Sequence, residues 1–319
     1  MSSYEIMDSL GKGRGCFAKE DIKIGSVILE EHPQIDVLHS RDSSLSEFPT
    51  GKLWAAFLTM KPEDQKAYFD LDNRHYFHDD YKSHLTGANL KMMKEKISKL
   101  ELNESDSTKL LLAIKVYLTN CSKHGVGIRS SFFNHSCGPN ARIHCSSTNK
   151  TIEIRAMHQI NKGDEITVHY FPFPFKISLT EERHTFFIEK WNFCCSCDLC
   201  NFHDESDEKM EELMKLKKRS QRLETKPMKS LQIIKDKIDC YKKYYDLMIE
   251  LRQESSVIVD IVLEKGFKAA ISGAKSKNPE LKSEFNKVAK EFASSAKTIS
   301  KNMTGQDSEL WSKRLELFN

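Results

Sequence analysis

Four cysteines, Cys194, Cys195, Cys197 and Cys200, crowd into seven residues, and the last three form a C-x-C-x-x-C pattern. Thiols this close in sequence are poorly placed for disulfides with one another but well placed to converge on one metal ion. Zinc held by sulfur takes a closed tetrahedral site, so Cys195, Cys197 and Cys200 need a fourth ligand. Cys137 is the natural candidate, because the turn-forming pair Gly138-Pro139 would hold its thiolate in a fixed loop. The register stays open, since Cys194 makes an alternative C-x-x-C-x-x-C with Cys197 and Cys200. The plain alternative is a group of buried apolar thiols, and the density of the cluster argues against it.

Three further stretches carry groups able to bind or react. Asn134-His135-Ser136-Cys137-Gly138-Pro139-Asn140 places an amide, an imidazole and a thiol in one turn-rich segment. Gly163-Asp164-Glu165-Ile166-Thr167-Val168-His169-Tyr170 leads from a polar turn into a strand-like run that ends on a phenol. Gly11-Lys12-Gly13-Arg14-Gly15 alternates glycines with basic residues, and glycines let a backbone take positive φ and approach a ligand closely. Alone, that pattern is as often a plain hairpin turn. It is not a dinucleotide fingerprint, because the strand-like Val27-Ile28-Leu29 follows it where a helix would be required.

Short β elements must position these groups. Tyr4–Met7 reads as a strand, and Ile24-Gly25 turns into Val27–Leu29, which ends before Pro33. Arg142–Cys145 and Thr151–Met157 read as two strands around a Ser-Ser-Thr-Asn turn, and Asn161–Asp164 is a turn into Ile166–Tyr170. The prolines of Phe171-Pro172-Phe173-Pro174-Phe175 exclude a regular element and leave an aromatic wall or ordinary packing. Between Gln34 and about Asn120 the chain reads as helical. Pro62-Glu63-Asp64 opens a helix, and Leu53, Trp54, Phe57, Leu58 and Met60 form an apolar stripe, as do Leu110 to Leu118. His75, His78 and His84, without a cysteine or a well-spaced acid nearby, read as surface histidines. From Asn201 to Asn319 lysine and glutamate abound. Leu231, Ile234, Ile238, Tyr241, Tyr245, Met248 and Leu251 mark an amphipathic helix, with further helices at Val257–Ala270, Phe285–Ile299 and Ser308–Phe318. No clear repeat of about 34 residues appears there.

In this order, Gly11–Gly15, Asn134–Asn140, Gly163–Tyr170 and Cys195–Cys200 resemble a SET-domain protein-lysine methyltransferase with a post-SET zinc site. The chain is similar to the SET-and-MYND group and the related fungal-type SET proteins, with Glu182-Arg183 ahead of Trp191-Asn192-Phe193-Cys194-Cys195 resembling that group's lead-in to its zinc segment. The similarity covers Met1–Pro33 and Ile114–Cys200, and no MYND-type zinc finger is seen in between. The resemblance implies an α+β fold: a mainly antiparallel β core over residues 1–200, with a helical insertion at about 34–112 and a post-SET zinc segment at about 181–200, followed by an all-α domain over 201–319. It implies an S-adenosyl-L-methionine pocket touched by Lys12, Gly13, Arg14, Asn134, His135, Tyr170 and Phe193. Tyr170 would be catalytic, with its hydroxyl beside the transferred methyl. Cys137, Cys195, Cys197 and Cys200 would hold a structural zinc. Phe171, Phe173 and Trp191 could line a lysine channel. The family often has a tyrosine at the position of Trp191, two residues before Phe193, and that departure leaves the degree of methylation open.

Composition bounds the partners. A net charge of +3 with 30% charged residues sets up no field for a polyanion, so direct nucleic-acid binding is not implied. No apolar run approaches membrane length and Met1–Leu10 does not read as a secretory leader, so an intracellular protein of nucleus or cytoplasm is expected. The partner implied is a protein substrate carrying a target lysine, with a possible protein partner at the C-terminal helices. The rival reading is a catalytically silent SET-fold scaffold that binds partners through those helices.

Overall fold

The computed structural model describes residues 2–37, 45–71, 87–122, 124–146, 149–170, 178–191, 193–253 and 257–318. His75, His78, His84 and the run Phe171–Phe175 lie outside the described residues. The architecture is α+β, with two small antiparallel sheets and many helices.

The glycine-rich segment forms the turn of a hairpin. Strands β1 (Tyr4–Ser9) and β2 (Gly13–Ala18) pair antiparallel, and Gly11 and Gly13 take φ of +72° and +77° at the reversal. The second sheet runs in the order β3-β5-β4, built from β3 (Val27–Glu31), β4 (Ala141–Ser146) and β5 (Thr151–Ala156). The two-residue strand β6 (Glu165–Ile166) lies on the far side of β2 from β1. Cys16, Leu29, Phe133, Ile154, Ile160, Ile166 and Val168 fill the core that these strands share. The strand expected over Ile166–Tyr170 is therefore shorter. Its amides go elsewhere: Thr167 N donates to Asn140 Oδ1 (2.8 Å) and Val168 N to Asn134 O (2.9 Å).

The middle of the chain is helical: α1 (Thr50–Leu58), α2 (Pro62–Phe69), α3 (Gly87–Ser98) and α4 (Glu104–Asn120). Pro62 stands in the first turn of α2, and Asn103 caps α4 by accepting from Asp106 N at 2.8 Å. Leu53, Trp54, Phe57, Tyr68, Met93, Leu110, Ile114 and Tyr117 make this unit's core. Leu58, expected in the stripe, falls on the outer side of α1 and is exposed.

Beyond the second sheet come α5 (Thr180–Trp191), the single turn α6 (Asp198–Asn201), and then α7 (His203–Glu224), α8 (Leu231–Glu250), α9 (Val257–Gly273), α10 (Pro279–Thr304) and α11 (Glu309–Glu316). The long α7 went unread in the sequence, because Met210, Leu213, Leu216 and Leu223 form a thin apolar stripe within a run of lysine and glutamate. Helices α7 to α11 share one core, which also takes in Met157 from just beyond β5, whereas Phe187 and Trp191 of α5 pack with the cysteines. No described helix is long and apolar enough to cross a membrane.

Candidate functional site

The site is built where the Asn134–Asn140 segment meets the chain just after β6. His135 bridges Val168 in parallel register, Ser136 N donates to Val168 O (3.1 Å), and Ala141 N donates to Thr167 O (3.0 Å). The Asn140 side chain closes the same joint, with Nδ2 donating to Glu165 O at 2.9 Å. This crossing carries Asn134, His135 and Cys137 on one segment and Glu165 and Tyr170 on the other.

Cys137, Cys195, Cys197 and Cys200 are all buried, and their four sulfurs lie within 4.8 Å of one another. Cys194 is exposed and stands outside the cluster, so the open register resolves geometrically in favour of Cys137. The donor set fits zinc. Sulfurs at tetrahedral corners about 2.3 Å from a central ion stand about 3.8 Å apart, and Cys137 Sγ lies 3.8 Å from Cys195 Sγ and 3.7 Å from Cys200 Sγ. Donation from Cys137, Cys195 and Cys200 holds the Cys197 thiol well below its ordinary value, while the Cys137 and Cys195 thiols are pushed up in turn, because sulfurs this close share protons when no cation lies between them. A buried cation faces it: Arg183 Nη2 points at Cys200 Sγ (3.7 Å) and donates to Leu199 O (3.0 Å). Burial alone would lower the Arg183 pKa, but the Cys137 and Cys200 sulfurs more than offset it and raise it.

His135 joins the cluster to the rest of the site. Tyr170 N donates to its Nδ1 at 3.2 Å, so Nδ1 is the bare nitrogen and the proton sits on Nε2, 3.4 Å from Cys137 Sγ. Burial, and secondarily His169, push its pKa well below the ordinary histidine value and keep the ring neutral. Around it stand Phe187 (centroids 4.2 Å apart), Tyr170 (5.4 Å) and Phe193 (6.2 Å). Trp191 is buried among Phe186, Phe187 and Tyr170. Tyr170 and Phe193 are half-buried at the edge of this aromatic group.

Glu165 is the residue that sequence reasoning missed. Its carboxylate accepts from Ser9 Oγ (2.9 Å), Lys12 Nζ (2.8 Å) and Asn134 Nδ2 (2.8 Å). Asn134 Nδ2 also donates to Arg14 O (3.0 Å), so both amide protons are spent and Oδ1 is the end left for a ligand. Lys12 is thereby engaged with an internal carboxylate. Arg14 turns away towards the end of α2, donating to Asp70 O and lying over the Phe132 ring at 4.6 Å. The acid in Gly163-Asp164-Glu165 was visible in the sequence, but nothing there told which of the two acids turns inward.

Residues 13–171 match the family model described as "SET domain". A histone-lysine N-methyltransferase, ASHR2, of Arabidopsis thaliana is 37% identical over 82 residues, 24% of this chain and 20% of that protein. The protein-lysine N-trimethyltransferase SMYD5 of Homo sapiens is 32% identical over 81 residues, 25% of this chain and 19% of that protein. The matches thus span about a fifth of the length of these curated relatives. Among solved structures, Rubisco LSMT bound to AdoMet aligns over 100% of this chain and 89% of that chain, with a TM-score of 0.41 and 11% identity. With the Asn134–Asn140 segment bridged to the chain after β6 inside the family match, residues 13–171 are a SET domain.

Proposed function

We propose that this chain transfers a methyl group from S-adenosyl-L-methionine to a lysine side chain of a protein, histone or non-histone. The observation that carries the reading is the crossing itself, which gathers Asn134, His135, Tyr170 and Phe193 beside the cysteine cluster. Support comes from the relatives, which are named as histone-lysine and protein-lysine methyltransferases. In this reading Asn134 Oδ1 and the glycine hairpin at Lys12, Gly13 and Arg14 receive the methionine end, with Lys12 leaving Glu165 and Arg14 leaving the Asp70 carbonyl to do so, and Phe193 and His135 flank the remainder. When bound, the sulfonium supplies an electrophilic methyl and leaves as a neutral thioether.

The chain's own contribution is alignment and desolvation. Free lysine has a pKa near 10.4, and a wall made of Tyr170, Trp191 and Phe186 favours the uncharged amine that must attack. Tyr170, with its backbone tied to His135, is placed to orient the reacting groups and to assist electrostatically. The four cysteines hold a structural zinc that keeps the segment ahead of α6 against the Asn134–Asn140 loop. Residues 1–200 form the SET unit and 201–319 a helical domain that walls the substrate cleft or takes a protein partner.

The test is calorimetry of S-adenosyl-L-methionine with the zinc-loaded chain, followed by transfer of a labelled methyl to protein substrates. Micromolar binding by the wild type, weakened at least tenfold by Asn134→Ala, is expected. Tyr170→Phe should bind normally yet transfer methyl about 10²- to 10³-fold more slowly, the usual cost of losing one preorganised donor. No binding by folded, zinc-loaded wild type would overturn the enzyme reading in favour of a scaffold. Trp191, buried where the family often carries tyrosine, is the observation that keeps the scaffold reading in play.

A further inference from the structure

The end of α8 reaches into the loop that carries Cys137. Gln253 is buried, and its Nε2 donates to Cys137 O at 2.7 Å and to Leu251 O at 3.0 Å, spending both amide protons. The contact joins residues 116 apart in sequence. The loop has little slack beneath it: a Cβ at Gly138 would lie 3.2 Å from Leu199 and 3.4 Å from Leu251 O.

The backbone is bent to make this contact. Arg252 N donates to Ile249 O (3.0 Å) and Gln253 N to Met248 O (2.7 Å), the paired bonds of a Schellman cap. The left-handed position of such a cap normally falls to glycine, but here Arg252 occupies it at φ +53°. A non-glycine residue held in that region is strained and persists where its surroundings over-determine it. Here the reversal turns Gln253 inward, onto the Cys137 carbonyl.

We infer that Gln253 is a positioning residue through which the helical region holds the Asn134–Cys137 segment in its working conformation. Cys137 is two residues from His135, and its sulfur faces the His135 ring. Any slip of this loop therefore moves both the cysteine cluster and the ring proposed to flank the methyl donor. The helices beyond residue 201 thus complete the site as well as standing beside it. The effect on methyl-donor binding rests on the proposed methyltransferase reading, whereas the effect on the cysteine cluster does not.

The test compares the full-length, zinc-loaded wild type with Gln253→Met, which keeps the length of the side chain but not its donor, and with Arg252→Gly. Two quantities are read well below the melting temperature: the dissociation constant for S-adenosyl-L-methionine and the rate of zinc release to a coloured chelator. Gln253→Met should weaken binding about tenfold, the equivalent of about 1.4 kcal/mol, and release zinc several-fold faster. Arg252→Gly should raise the melting temperature by relieving the left-handed strain and leave both quantities unchanged. A Gln253→Met protein with a lowered melting temperature but wild-type affinity and zinc release would overturn the inference, because the residue would then be merely structural. If the wild type binds no S-adenosyl-L-methionine, the proposed function fails, and the zinc-release rate alone still decides for or against Gln253. Should Gln253→Met not fold, Gln253→Glu, which loses the same donor, carries the same expectations.

Discussion

A methyl group at Gly15 would stand 2.5 Å from Glu165 Oε1 and 2.9 Å from Asn134 Nδ2. The third glycine of the Gly11–Gly15 run is therefore needed for space, whereas Gly11 and Gly13 serve the turn through positive φ. Behind Gly15 the Glu165 carboxylate gathers Ser9, Lys12 and Asn134, and this fixes the direction of the Asn134 amide. Gly15→Ala should lower stability by about 1–3 kcal/mol, the usual cost of overpacking a filled site. It should also weaken binding of the methyl donor, because Asn134 and Glu165 must part to admit the methyl. Chemical denaturation and calorimetry check the two effects. Unchanged values in both would mean that Glu165 swings aside freely and does not orient Asn134.

At the scale of elements, the cysteine cluster ties together pieces that share no regular hydrogen-bonded structure. Cys137 belongs to the loop bridged to Val168, Cys195 and Cys197 lead into the single turn α6, and Cys200 lies within it. The turn is anchored in its own right: Leu199 O accepts from Arg183 Nη2 and from Ser206 Oγ in the first turn of α7. A metal that binds only the folded state stabilises it by mass action. Stripping zinc with a strong chelator, or substituting Cys200→Ser, should lower the melting temperature by about 10 °C or more, a shift of several kcal/mol. It should abolish methyl-donor binding as well. Scanning calorimetry with metal analysis provides the check, and a chelated protein that melts like the untreated one would exclude a structural metal.

The whole molecule is closed by the packing of its last helices, where charge and aromatic surface act together. Arg314 on α11 pairs with both carboxylate oxygens of Glu264 on α9, with Nη2 2.9 Å from Oε1. The same guanidinium lies 4.4 Å from the Trp311 ring centroid and 4.9 Å from that of Phe267. The Arg314 hydrogen bond holds the Glu264 carboxyl below its ordinary value of 4.5, with Lys268 adding to it. A carboxyl depressed in the folded state binds protons more weakly there than in the unfolded chain. Its stabilising contribution is therefore present above about pH 4.5 and is lost as the pH falls through the folded value. Arg314→Met should cost about 1–2 kcal/mol at pH 7, and the cost should shrink at pH 3. Denaturation curves at the two pH values test this, and an equal cost at both would assign the effect to ring packing instead.

The sequence by itself determined the features that depend on local spacing. The hairpin glycines, the Pro62 helix start, the amphipathic stripe of α8 and the tight group Cys195, Cys197 and Cys200 are all relations within a few residues, where turn chemistry and periodicity act directly. The family resemblance rested on the order of such short motifs, and the SET-domain match over residues 13–171 agrees with it. Only the tertiary structure decided the pairings across long stretches of chain. It chose Cys137 over Cys194 beside the other three cysteines, turned Glu165 inward beneath Asn134, and carried Gln253 onto the Cys137 carbonyl. It also ended β6 after Ile166, because the Asn134–Asn140 segment, through the Asn140 and His135 side chains and the Asn134 carbonyl, took the amides a longer strand would have used. Such choices depend on which distant groups compete for the same donor or the same space, and no period along the chain encodes the outcome.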